Sequence, residues 1–434
     1  MTDSLDVYLY EVLAAKIRRH HGTLSLRYVD AYIADPNSVP ISLQFPLTPQ
    51  AIHGDRVRWF LENLLPDRED VRSSWAVKAG LSSTDGFDLL SVYGSDVAGA
   101  LEFYPEGVPK SGNGTLVPRS TDEIAQAVRE IRADDSRWLR DGIHKTSFSL
   151  AGAQGKFALA RRGEYWFEPT GALPSTHIFK PGIKDFEGSD VTEHITMTVA
   201  RQLGLSAAKT EIISFAGEHT LVVERFDRFE LDGEIKRIHQ EDLAQATATP
   251  VLKKYENHGG PSYRDLFALF DKHLAISSAQ QAKAQFVHGL VFAWVIGHGD
   301  GHAKNYSIQH VPGSIGLAPH YDLNSSLVFE PEQTCRAMDF SAFDAVELSF
   351  SVNGSFRIGD FDLDSLTTLE HDAGLIPGSL TRWALTIEAN ITELVRDAIA
   401  GLPKELQSLT AVTNFPFVVF SQRKRIRALF GLGD

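Results

Sequence analysis

The stretch that most constrains this chain is His298-Gly299-Asp300-Gly301-His302-Ala303-Lys304-Asn305, a polar octet set directly after the apolar run from Phe286 to Ile296. Phe286, Leu290, Val291, Trp294 and Val295 recur at the spacing of one helix face, so the run predicts a buried helix and the octet predicts the loop at its C-terminal end. Within that loop Asp300 is followed five positions on by Asn305. This D-x-x-x-x-N spacing suits phosphoryl transfer from ATP: one carboxylate accepts the attacking hydroxyl's proton, and one amide oxygen helps to hold a metal ion on the phosphates.

A single D-x-x-x-x-N arises by chance in many chains, so the residues after Asn305 carry more weight. Tyr306 to His310, the turn signal Pro312-Gly313-Ser314, and Ile315 to Leu323 read as a hairpin that returns the chain to the octet with Asp322 at its exit. In protein kinases an Asp in this relation, the one in D-F-G, holds the magnesium. Asp322 and Asn305 would chelate it here. Taken singly, Asp300 and Asp322 read as solvated loop carboxylates and Asn305 as a turn former; the ordered set of helix, Asp loop, hairpin and second Asp points to a phosphotransferase.

The 434 residues carry 43% hydrophobic and 23% charged side chains, a globular balance with material for a sizeable core. A net charge of -14 argues against a chain-wide basic footprint for nucleic acid. The single Cys335 excludes an intramolecular disulfide and a Cys-rich zinc site. The start lacks the basic and apolar regions of a signal peptide and no apolar run reaches spanning length, so a soluble, cytoplasmic protein without a membrane association is expected.

Three segments are expected along the chain: a β-rich unit over 1–110, a nucleotide-binding lobe over 111–245 and a helical lobe over 246–434. In the first, Asp6–Leu13 and Leu24–Val29 are strand-like with a turn at His20-His21-Gly22, Arg58–Leu65 is a helix stopped by Pro66, and Ala98–Tyr104 is a strand. In the second, Ser147 to Lys156 is a small-residue loop whose backbone N–H groups can approach phosphates, followed by a hairpin over Phe157–Ala160 and Tyr165–Glu168. It is no Walker A loop, since Leu150 and Phe157 stand where Gly and Ser or Thr belong, and alone it reads as a hairpin turn. Thr176–Pro181 reads as a strand ending in Lys180, placed as a lysine that reaches ATP phosphates from a sheet. A helix with Val191, Ile195, Val199 and Leu203 comes next, its Glu193 being either a partner for Lys180 or a solvated carboxylate at the helix start. Leu221–Arg228 reads as a strand entering a hinge, where the backbone of Glu224 and Phe226 would read adenine and Arg225, Asp227 and Arg228 would otherwise form a surface ion-pair set.

The remainder reads as helical apart from the hairpin, with helices over Tyr263–Leu274, Leu380–Leu402 and Phe415–Phe430. Arg423, Lys424, Arg425 and Arg427 form a basic run that is better read as a solvated face than as a DNA contact. His288, His298, His302 and His320 lack the H-E-x-x-H spacing of a metal site and read as structural histidines. The chain shows neither internal repeats nor low-complexity tracts.

Taken together, the residues resemble the HipA-type serine/threonine kinase toxins, the toxin half of HipBA toxin–antitoxin modules. The likeness rests on Phe60–Asp67, Ser149–Lys156, His177–Lys180, Val223–Arg228, His239–Leu243, Asp300–Ser307 and Tyr321–Leu323. It implies an α+β, two-lobed, kinase-like fold with an extra N-terminal subdomain and an all-helical C-terminal lobe. It further implies Asp300 as catalytic base, Asn305 and Asp322 as Mg²⁺ ligands, and His302 and Lys304 near the ATP phosphates. Lys180, with Ala151, Gly152, Ala153, Gln154 and Lys156 of the small-residue loop, would contact ATP, and Glu224, Arg225 and Phe226 would hold the adenine. A loop serine, Ser149 with Ser147 as alternative, would be autophosphorylated, and its dianion would then be repelled by the ATP phosphates and eject the loop. The implied partners are a HipB-type helix-turn-helix antitoxin dimer, operator DNA through that complex, and a protein substrate of the aminoacyl-tRNA synthetase class. The rival reading is a small-molecule kinase of the aminoglycoside or choline type, whose catalytic loop also reads H-G-D-x-H-x-x-N.

Overall fold

The computed structural model describes residues 2–110, 114–135, 151–337 and 340–432. Two compact units divide the chain: Met1–Pro181, Ser214–Lys254 and Ser307–Ala318 form one, and Gly182–Ile213, Tyr255–Tyr306 and Pro319–Asp434 form the other.

The first unit opens with a five-stranded antiparallel sheet in the order Ile52–His53, Thr23–Tyr28, Val12–His20, Ser4–Leu9, Leu101–Pro105. Leu5, Val7 and Leu9 are fully or almost fully buried, the two-residue period of a strand with one face on a core. The single strand expected over Asp6–Leu13 is in fact two, because Leu9 pairs with Val12 across a two-residue turn. Tyr10 and Glu11 make that turn at φ 50° and 68°, a left-handed pair that hairpins usually build from Asn-Gly. The Tyr10 side chain offsets the strain: its hydroxyl donates to the carbonyl of His310 and accepts from the backbone N–H of His239 at 2.9 Å.

Five strands of a second sheet lie wholly in this unit, ordered Glu218–Glu224, His177–Lys180, Phe157–Arg162, Tyr165–Pro169, Leu116–Arg119, each antiparallel to its neighbour. Its core is aromatic, with Phe157 stacked on Phe179 at 4.6 Å and Trp166 edge-on to Phe179 at 4.9 Å. The hairpin expected after the octet is present as Ser307–Val311 paired with Ser314–Leu317, and His239–Asp242 extends it to three strands.

The second unit is built on the helix Ile276–Ile296, buried at every residue from Gly289 to Ile296. Phe286 contacts Tyr306 at 4.7 Å and Phe350 at 5.3 Å, and the Trp294 indole donates to the carbonyl of Ile358 at 3.2 Å. The long helices Ser379–Ala400 and Thr410–Leu429 complete it. A second hairpin, Glu347–Val352 with Ser355–Arg357, interrupts the region expected to be helical apart from one hairpin. The basic run is likewise not simply solvated: Arg423 and Arg427 converge on the buried Glu388 at 2.7 and 3.1 Å, and Arg425 pairs with Asp344 at 2.5 Å. Among the described residues no helix is long and apolar enough to cross a membrane.

Candidate active site

The helix Ile276–Ile296 stops at Gly297, whose φ is 69°. A Cβ there would stand 2.3 Å from Leu327 Cγ, so a bare backbone is required on both counts and the chain enters the octet along one path. His298 is buried, and its Nδ1 donates to the carbonyl of Asn324 at 2.9 Å. Burial lowers the pKa of this ring, although Asp300 and Asp322 pull the other way, so it is neutral at pH 7. Gly301 gives it room, since a Cβ at that position would lie 3.0 Å from the His298 ring.

Asp300 is the exposed group of the loop, with its side chain 67% accessible. Around it the structure gathers the other residues the spacing singled out. His302, itself buried, brings Nε2 to 3.8 Å from Asp300 Oδ1. Asn305 donates its Nδ2 to the Asp300 carbonyl at 2.5 Å, which leaves the amide oxygen as that side chain's acceptor. Lys304 is buried, and its carbonyl accepts the hydroxyl of Tyr321 at 2.8 Å. That bond, with the one from His298 to Asn324, ties the segment bearing Asp322 to the octet. Asp322 sits at φ 57°, a left-handed conformation that Asp tolerates better than most residues but that still costs energy. His288, His298 and His320 each bond a backbone carbonyl, and among the described residues no group of three or more His, Cys, Asp or Glu could hold a metal ion.

The first unit holds the remaining candidates. Gly152, at φ 111°, bridges to Pro66, and its carbonyl accepts the N–H of Asp67 at 3.0 Å. Lys156 is buried and turns its Nζ back to the Ala151 carbonyl at 2.8 Å, while Gln154 donates to the carbonyl of Pro181 at 3.1 Å, leaving Ala153 exposed at the tip. Ser147 and Ser149 lie outside the described residues. Lys180 ends its strand buried opposite Leu221, and in the second unit Glu193 is buried too, so it is no solvated carboxylate.

The surface ion-pair set expected of Arg225, Asp227 and Arg228 is instead buried, as Arg225 shows. It is 4% exposed, and its guanidinium is committed to Asp227 at 2.9 and 3.0 Å, to Ser175 at 2.9 Å and to the Val97 carbonyl at 3.0 Å. The Arg225 side chain is therefore a buried tie, and the set Arg225, Asp227 and Arg228 is not on the surface. Asp96 completes it, 2.9 Å from Arg228. Burial alone would raise the Asp227 carboxyl, but Arg225 and Arg228 hold it far below the usual range. Glu224 is exposed opposite His177, and the Phe226 carbonyl accepts from Gln309 at 3.3 Å. One residue escaped sequence reasoning altogether: Tyr255, 45 positions before Asp300, whose hydroxyl donates to the Asp300 carboxylate. No motif spacing marks it.

Residues 148–397 match the HipA-like C-terminal domain and residues 5–104 the HipA N-terminal domain. The chain is 31% identical over 415 residues to the protein named Putative kinase Y4mE of Sinorhizobium fredii, covering 94% of each. It is 31% identical over 377 residues to the serine/threonine-protein kinase toxin HipA of Shewanella oneidensis, covering 81% of each. The solved complex of Shewanella oneidensis HipA, HipB and operator DNA superimposes with a TM-score of 0.79 at 26% identity, over 99% of this chain and 98% of that one. Fold and relatives together define a kinase with a mixed α and β architecture and a helical C-terminal region. The chain belongs to the HipA family of toxin kinases.

Proposed function

We propose that this chain is an ATP-dependent serine/threonine protein kinase acting as the toxin of a type II toxin–antitoxin module. The observation that supports it most is the arrangement in the second unit, where an exposed Asp300 carboxylate, the Asn305 amide and the Asp322 segment are tied to one loop at the end of a buried helix. In this reading Asp300 takes the proton of the incoming serine or threonine hydroxyl as its oxygen bonds to the γ-phosphorus and the bond to the β–γ bridging oxygen breaks, releasing ADP. His302 lies beside that base, and Lys304 and Lys180 would supply charge to the phosphates. The small-residue loop would approach them through its backbone, since Lys156 is turned onto Ala151.

Asn305 and Asp322 suit Mg²⁺, being hard oxygen donors, and the ATP phosphates would complete the shell. Bound there, Mg²⁺ would neutralise charge on the transferring phosphoryl group. The solved complex of HipA, HipB and operator DNA supports a HipB-type antitoxin and operator DNA as partners, and a small helix-turn-helix dimer that reaches the DNA is the proposed form of that antitoxin. An aminoacyl-tRNA synthetase is the proposed target, and Ser149 or Ser147 the proposed site of inactivating autophosphorylation. The test is γ-labelled ATP with the full chain. Label should appear on protein serine or threonine, and Asp300→Asn should cut the rate about 10²- to 10⁴-fold, the usual contribution of a general base. Turnover only with an added amino alcohol or sugar would replace the protein-kinase reading by a small-molecule one.

A further inference from the structure

We propose that Tyr255 is a positioning residue for Asp300, an inference that rests on the kinase reading above. Its hydroxyl donates to Oδ1 of a carboxylate that is otherwise largely in solvent. An exposed carboxylate swings about its terminal torsion, whereas a donor fixed on one oxygen sets the plane and leaves the second oxygen for the proton of the attacking hydroxyl.

Tyr255 is itself held. The next residue, Glu256, accepts from the Ser351 hydroxyl at 2.6 Å and from the Ser351 N–H at 2.9 Å. The Tyr255 ring stands edge-on to the buried His302 ring, with centroids 4.8 Å apart. Two residues before Ser351 on the same strand, Ser349 donates to the Gly299 carbonyl at 2.7 Å. The links close into a circuit of Gly299-Asp300, Tyr255-Glu256 and Ser351 with Ser349, all within the second unit. One strand thus fixes both the loop that carries the carboxylate and the segment that carries its donor.

Tyr255→Phe keeps the ring against His302 and removes only the hydroxyl. With γ-labelled Mg·ATP and the full chain, the maximal rate of label incorporation should fall about 10- to 100-fold, the scale expected when a reacting group is misplaced by about an ångström. The KM for ATP should stay within about twofold of wild type, and Ser351→Ala should shift the rate in the same direction by a smaller factor. In an Asp300→Asn background the Tyr255→Phe change should cost nothing more, because the group it orients is gone. A wild-type rate in Tyr255→Phe overturns the proposal. So does a loss shared equally by rate and ATP binding, which marks a merely structural role, and so does label found on Tyr255, which makes it an acceptor. Wild-type protein that transfers no label removes the kinase reading and this inference together, whereas transfer that is abolished by Asp300→Asn and indifferent to Tyr255→Phe removes the inference alone.

Discussion

Asp322 carries two separable properties, a charge and a left-handed backbone at φ 57°. Asn adopts that conformation as readily as Asp, so Asp322→Asn removes the charge and keeps the backbone preference. Phosphoryl transfer should fall at least about 100-fold and the Mg²⁺ needed for half-maximal rate should rise. Asp322→Ala should do the same and also lose about 1 kcal/mol of stability to backbone strain, which a urea titration would read. Full activity in Asp322→Asn would remove this residue from the metal site. The tie of the Asp322 segment to the octet was legible because a hairpin must deliver the chain to a definite place; the conformation of Asp322 was not, since Asp is only enriched at positive φ and far more often lies elsewhere. Arg225 shows the reverse failure. A charged residue at a strand end reads as exposed, and only the buried Asp96 and Asp227 around it, one of them far away in sequence, show that it is internal.

Among the elements, those with long apolar periods are the legible ones, the helix Ile276–Ile296 above all, because the burial of so many residues on one rod leaves little freedom of interpretation. The Tyr10-Glu11 turn is hidden by its residues, whose strain is met by partners at His239 and His310. The hairpin Glu347–Arg357 is not hidden at all: Asn353-Gly354, at φ 53° and 83°, is the commonest signature of a two-residue turn, and Leu348, Phe350 and Val352 alternate before it. That strand supplies Ser349 and Ser351, so the missed element is also the one that fixes the Asp300 loop. The strand end at Glu224 depends on the buried ion network beneath it, in which Asp96 faces Arg228 at 2.9 Å and Arg225 and Arg237 at 3.6 Å each. Asp96→Asn preserves shape but leaves three guanidinium groups short of one negative charge. A loss of about 3–5 kcal/mol is expected, as for other buried pairs broken on one side, and a urea midpoint shifted without a change in slope would show it. A loss below about 1 kcal/mol would mean that the network is solvated in solution.

For the molecule as a whole, the acid limit of stability belongs to buried histidines before it belongs to carboxylates. Burial lowers His320 to about 4, and burial with the neighbouring His310 lowers His239 to about 3. One lies in each compact unit, at 2% and 0% exposure. Below their unfolded value of 6.5 the unfolded chain binds protons that the folded chain refuses, so stability is complete above that pH and falls as the pH drops toward the folded values. The depressed carboxylates, Asp96 and Asp227, act in a different window, because their contribution persists until the pH falls below the ordinary carboxylate value of 3.8. Between pH 6.5 and 5 the histidines therefore dominate, and each should remove roughly 2 kcal/mol by pH 5. Burial lowers His194 to about 4 as well, so, measured by urea unfolding, the full chain should lose on the order of 6 kcal/mol between pH 7.5 and pH 5, a large part of the stability of an ordinary domain. His320→Gln should flatten that slope by about a third, whatever it does to stability at pH 7.5. A midpoint that holds constant from pH 7.5 to 5 would mean that these rings are protonated in the folded protein, and would contradict the burial that both units show around them.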